Sequence, residues 1–186
     1  MLESPVYCAG DPKAVLQYDD GIGWWVAWAG TYRAVWFFVN EFSPVPVEGF
    51  DCEQLEYWFY HHASFPWTSA SFESILANTG QYGPGTQLAS ESVTAAHYTP
   101  AYAVFGSIIT EYSFYAIDHS LVAGGWPSLV ADSTSQNHWR SFYSDYYSSG
   151  YTHHNGDYFI RAHGTILTTG LDYTSWGAIK SLFGQQ

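Results

Sequence analysis

Residues 52–62 alternate without a break: Leu55, Tyr57 and Phe59 fall on one face, Glu56, Trp58, Tyr60 and His62 on the other. A period of two belongs to a strand with one buried face. Similar runs recur along the chain between clusters of Gly, Pro, Asn and Asp. The expected strands cover residues 14–18, 23–29, 32–39, 52–62, 72–77, 88–96, 103–109, 111–117, 139–143 and 157–163. Asp19-Asp20-Gly21 reads as the turn of a hairpin joining the first two, because Asp and Gly accept positive φ. Residues 43–49 carry Pro44 and Pro46, which remove ladder donors and exclude a central strand. Residues 119–137, with Gly-Gly-Trp-Pro inside, read as a long irregular loop. Many short strands separated by regular turn signals define a sandwich or barrel.

Composition supports that reading. The chain holds 16 Tyr, 9 Trp and 12 Phe, residues that suit pleated, half-buried surfaces. One core of this size does not take in so many rings, so part of them must lie outside. Trp24 and Trp28 share one face of their strand and Trp25 takes the other. The formal net charge of −12 excludes nucleic acid and anionic membrane as partners, since both require a basic footprint. Nothing approaches the apolar length of a membrane span, so no membrane insertion is expected. The first residues, MLESPVYCAGDPK, show no basic stretch followed by an apolar run; no signal peptide is expected there, and an exported form would be the mature one.

The fold class expected is all-β, a jelly-roll-like antiparallel β-sandwich with a short C-terminal helix. Residues 1–13 form a lead-in or edge strand, 14–167 the sandwich, and 168–186 a tail. In the tail Trp176, Ile179 and Phe183 recur at helical spacing behind a Thr or Ser N-cap. Ten residues do not make a helix alone, so these three form an interface with the same domain or a neighbour.

Chemistry-bearing residues concentrate in residues 137–163, which hold four of the eight histidines, His138, His153, His154 and His163. Adjacent histidines on a strand, as expected of His61 and His62, point to opposite faces and do not chelate one ion. His153 and His154 lie in a loop near Asp157 and are freer. No zinc spacing appears, and no Gly-x-Ser-x-Gly. Asp19 and Asp20 are calcium candidates, although a cation of that kind needs six to eight oxygens; the competing reading is an Asp that caps the turn. Calcium is the one cofactor considered. Arg161 shares a face with Asp157, Phe159 and His163 and should pair with a carboxylate, Asp157 being two residues away. Cys8 and Cys52 are either two buried thiols or a disulfide whose loop closure is worth about 4 kcal/mol.

Four motifs stand in order: Tyr18-Asp19-Asp20-Gly21, Pro84-Gly85-Thr86-Gln87-Leu88-Ala89, Asn137-His138-Trp139-Arg140-Ser141-Phe142-Tyr143-Ser144-Asp145 and Gly156-Asp157-Tyr158-Phe159-Ile160-Arg161-Ala162. Followed by a Thr-Ser-Trp-Gly-Ala-Ile-Lys-Ser-Leu-Phe tail, the set resembles the β-sandwich modules of secreted multidomain bacterial proteins. The resemblance implies a jelly-roll-like sandwich, an extracellular or cell-surface location and a non-catalytic role. Export favours the Cys8–Cys52 pairing. His61-His62, Phe65-Pro66-Trp67 and His153-His154 depart from the pattern, and individual function belongs in such loops.

The first functional reading is a structural or interaction module that associates with copies of itself, as a filament or surface-layer subunit, or with a surface protein. The alternative is a carbohydrate-binding module whose exposed rings stack on a glycan. The third is a metal-dependent hydrolase using loop histidines. Trp67, Trp126, Tyr151, His153 and His154 are the expected binding residues; no catalytic residue is assigned.

Overall fold

The computed structural model describes residues 13–133 and 138–168. The alternating runs become β1 (Ala14–Leu16), β2 (Trp25–Ala27), β3 (Tyr32–Phe38), β4 (Val47–Trp58), β5 (Ser71–Thr79), β6 (Pro84–Thr94), β7 (Pro100–Glu111), β8 (Ser113–Ser120), β9 (Leu129–Ala131), β10 (Ser141–Ser144), β11 (Thr152–His153) and β12 (Ile160–Thr168), with a 3-10 turn at Val39–Phe42. One sheet has the order β1-β12-β4-β7 and the other β11-β10-β3-β8-β5-β6, while β2 and β9 form a small ribbon. All pairings within the sheets are antiparallel. Along the chain, β1, β4, β7 and β12 go to the first sheet and β3, β5, β6 and β8 to the second. That repeated crossing is a jelly-roll sandwich.

The core lies between the sheets. Leu55, Tyr57, Ile160 and Ala162 enter from one side and Val35, Phe37, Phe72, Leu76, Phe114 and Ala116 from the other. Phe50 of β4 stacks on Phe114 of β8 with ring centroids 5.7 Å apart. Each fully buried large apolar side chain stabilises the fold by roughly 1.5–3 kcal/mol. The Tyr57 hydroxyl crosses the core, lying 2.7 Å from Ser74 Oγ and donating to the Ile117 carbonyl. A second, smaller apolar layer covers the outside of the six-stranded sheet. Tyr32, Trp36, Tyr147 and Tyr151 pack there on Ala34, Ile75, Ala77, Tyr115 and Ile117.

Several expectations change. Residues 14–29 do not form a hairpin: β1 pairs with β12 and β2 with β9. Asp19 still caps the turn by accepting the Gly21 amide while it also takes Arg161, and the strands on either side pair with β12 and β9 instead of with each other. β4 starts directly after Pro46 and ends at Trp58, so His61 and His62 lie beyond the strand and the opposite-face argument does not apply to them. β9 sits inside the stretch expected to be irregular, because β2 and the bridge from Phe59 give its short apolar run a place to pair. Arg161 does share its face with His163, but its carboxylates are Asp19 and Glu56 rather than Asp157. Cys8, the lead-in strand and the tail with Trp176, Ile179 and Phe183 lie outside the described residues. Cys52 is buried between the sheets, and burial pushes its thiol up to about 12.

Candidate functional site

One end of the sandwich gathers the connections β1–β2–β3, β4–β5, β6–β7 and β8–β9. Its foundation is Arg33, the single charge in an otherwise apolar strand and fully buried. Its guanidinium donates to the carbonyls of Ala27, Gly125 and Pro127 and meets Asp118 at 2.6 Å. Burial pushes the Asp118 carboxyl up and Arg33 opposes it. A buried cation needs both its countercharge and its hydrogen bonds, so this one residue fixes two loops at once. Gly125, at φ 68°, completes the approach: a Cβ there would stand 1.9 Å from the Trp28 carbonyl oxygen. Only glycine fits both demands. Trp28 and Trp126 are thereby brought to ring centroids 6.1 Å apart.

The β4–β5 connection is tied down by imidazoles. His97 Nδ1 accepts the His61 amide at 3.1 Å, His61 Nε2 accepts the Trp67 amide at 3.3 Å, and His62 Nδ1 accepts the Ser64 amide at 3.1 Å. Trp67 Nε1 donates to Ser128 Oγ, which donates in turn to the Tyr60 carbonyl. Around this frame runs a continuous path of rings: Trp126, Trp28, Phe65, His62, Tyr60, Tyr98 and Trp58. Trp28 is 45% exposed, Phe65 52% and Tyr98 51%. Successive planes along the path are inclined by 37° to 83°, so the rings make an irregular surface rather than a flat platform. Tyr98 has φ 47°, an unusual conformation for a bulky residue and one that concentrates at functional positions.

Apart from Asp19 and Asp20 in the β1–β2 connection and the buried Arg33–Asp118 pair, the segments of this end carry no fixed charge. Residues 21–32, 57–72, 92–110 and 119–131 contain no Asp, Glu, Lys or Arg, in a chain with 17 acids.

Beside it, the outer face of the four-stranded sheet is the opposite. Arg161 makes a bidentate contact with Asp19 at 3.0 and 2.6 Å and reaches Glu56 at 3.1 Å, while His163 Nε2 meets Glu56 at 2.7 Å. Burial pushes the Glu56 carboxyl up, and His163, Trp58 and Arg161 more than reverse this, so it rests below the usual range. Asp132 accepts the amides of Asp157 and Asp20, and Asp157 holds His138 at 2.5 Å. Burial raises Asp132 to about 6. A cleft of about 310 Å³ next to it is lined by Asp20, Ile22, Trp24 and Ser133.

The expected binding residues separate into two groups. Trp67 and Trp126 belong to the uncharged end. Tyr151 packs into the apolar layer outside the six-stranded sheet, His153 stacks on Trp139 at 4.2 Å, and His154 lies on Tyr158 at 4.5 Å. Burial lowers both imidazoles. The Asp19 carboxylate is occupied by Arg161 and by the Gly21 amide, and the Asp20 carboxylate caps the Ile22 amide. Among the described residues no three His, Cys, Asp or Glu side chains are placed to hold a metal ion. His61, His62 and Phe65 lie in the loops to which the motif comparison assigned individual function, whereas Trp28, Tyr60, Tyr98 and His97 were not singled out as binding residues; the signal that marks them is the long intervals between charges.

Comparison with protein-family models, with curated proteins and with solved structures gave no match. The reading of function therefore rests on the site itself.

Proposed function

We propose that this protein is a non-catalytic interaction module that associates with further copies of itself through the uncharged aromatic end. The observation that carries the proposal is the pairing of exposed Trp, Phe and Tyr rings with a lack of Asp, Glu, Lys and Arg in the four segments that carry those rings. Aromatic enrichment with charge depletion is the composition of an interface core. Two bodies of formal charge −12 repel, and repulsion is least where neither presents an acid. The inclined ring planes suit interlocking side chains. An extracellular setting, implied by the motif resemblance, belongs to the same proposal.

The test is sedimentation of the full chain across a wide concentration range, beside the double variant Trp28→Ser, Phe65→Ser. The wild type should show concentration-dependent mass and the variant should remain monomeric, since truncating hot-spot rings removes about 2 kcal/mol or more each. A monomeric wild type at high concentration overturns the proposal. If that monomer binds neutral polysaccharides on a glycan array, and the variant does not, the surface is a carbohydrate site.

A further inference from the structure

The eight histidines divide by what their rings meet. His119, His138 and His163 face the carboxylates of Glu73, Asp157 and Glu56. His153 and His154 lie on aromatic rings. His61, His62 and His97 each present a ring nitrogen to a backbone amide. An imidazole nitrogen accepts only when it carries no proton, so these three bonds exist only while the rings are neutral. Protonation would place N–H against N–H at all three points.

We propose that the β4–β5 loop is a pH-gated element, closed by three neutral imidazoles and released when they protonate. Imidazoles change charge between pH 5 and 8. The groups facing them are Trp67 on His61, Tyr60 and Phe65 on His62, and Tyr60 and Tyr98 on His97. No carboxylate lies in the four segments of this end to stabilise the cations. The Glu56–Arg161 pair, reached through Trp58 and Tyr98, is already engaged with itself. Acidification therefore breaks the three imidazole ties of the loop, leaves Trp67 Nε1 on Ser128 and the Phe65 amide on the His62 carbonyl, and puts positive charge on the surface. Because the aromatic end is the proposed contact between copies, this inference rests on that reading for its biological consequence: acidification weakens the aromatic contact, while the general repulsion between acidic copies falls as pH nears the pI of about 4.7.

Hydrogen exchange, corrected for intrinsic rate, reads the gate without reference to assembly. Between pH 7.5 and pH 5 the amides of His61, Ser64 and Trp67 should lose tenfold or more of their protection. The amides of Tyr60 and Tyr98, which bond to the carbonyls of Ser128 and Phe59, should hold theirs. The variant His61→Gln, His62→Asn, His97→Asn keeps an acceptor near each position that does not titrate, and should keep protection at pH 5. His97→Asn alone, read at the His61 amide, serves if the triple variant does not fold. Equal wild-type protection at both pH values overturns the gate, as does loss of protection in the folded variants. If protection falls as expected but sedimentation shows monomer at both pH values, the gate stands and the self-association reading is the one that fails.

Discussion

The outer face of the four-stranded sheet and the loop end beside it are joined by Trp58 and Tyr98, yet they are held together by different means. On the sheet face, Arg161, Asp19 and Glu56 form an ion-pair network, joined by the His163 ring, that is largely out of water. At the loop end, no fixed charge appears above Arg33, and backbone amides are met by neutral imidazoles. The contrast assigns the two surfaces to separate tasks. Desolvated ion pairs lock one geometry and lose much when a partner is removed. An uncharged surface of rings loses little when cut back and can be covered at small electrostatic cost.

The sharpest way to break this comparison is to remove the charge that supports both regions. Arg33→Met should destabilise by about 3–5 kcal/mol, because Asp118 is left buried without its partner and three carbonyls lose a donor. Denaturant unfolding measures it, and the change should be smaller in Arg33→Met with Asp118→Asn. Next in size is Arg161→Met, for which roughly 2–3 kcal/mol is expected, less than the usual range for a buried pair since part of the guanidinium reaches solvent.

The pH dependence of stability follows from the carboxyls. For Glu41, burial raises the pKa while the hydrogen bonds from Arg140 and Tyr18 lower it further; Glu56 is lowered on balance too. Their contribution is fully present above the ordinary glutamate value of 4.5 and is lost as pH falls through the folded values. Asp132 has the opposite sign. Raised from 3.8 to about 6, it binds a proton more readily in the folded state and favours folding as pH drops through that interval. Thermal melts from pH 6 to pH 3 should therefore show a steeper loss below pH 4.5 in the wild type than in Glu56→Gln. An identical profile in the two proteins would remove Glu56 from the account.

The smallest effect on stability should come from the other region. Trp28→Ser with Phe65→Ser should change unfolding free energy by less than about 1 kcal/mol, as exposed sites do, while altering association. A large loss of stability there would show that the rings belong to the core and would collapse the distinction between the regions.

Much of the sandwich was legible because alternation is local. A strand's two faces can be read from its own residues, and the inward set Leu55, Tyr57 and Phe59 follows from that alone, whereas β3 is legible as a short apolar run buried on both faces. The uncharged aromatic end was not legible in the same way. His61 looked like a strand residue because the alternation continues past Trp58, where the strand stops. β9 looked like loop because its partner, β2, lies about a hundred positions earlier.

Sequence by itself determined the all-β class, the many short strands of a sandwich or barrel, and the lack of charge in four separate segments, while the order of the strands in the two sheets came from the structure. Only the tertiary structure decided that those four segments meet at one end. It also decided that Asp19 spends its carboxylate on Arg161, 142 positions away, and that three histidines turn ring nitrogens toward backbone amides. The reason is physical. Periodicity and charge spacing are carried by neighbouring residues, whereas the partner of a buried charge or an unpaired amide is chosen by whichever distant group the closed sheets bring within 3 Å or so.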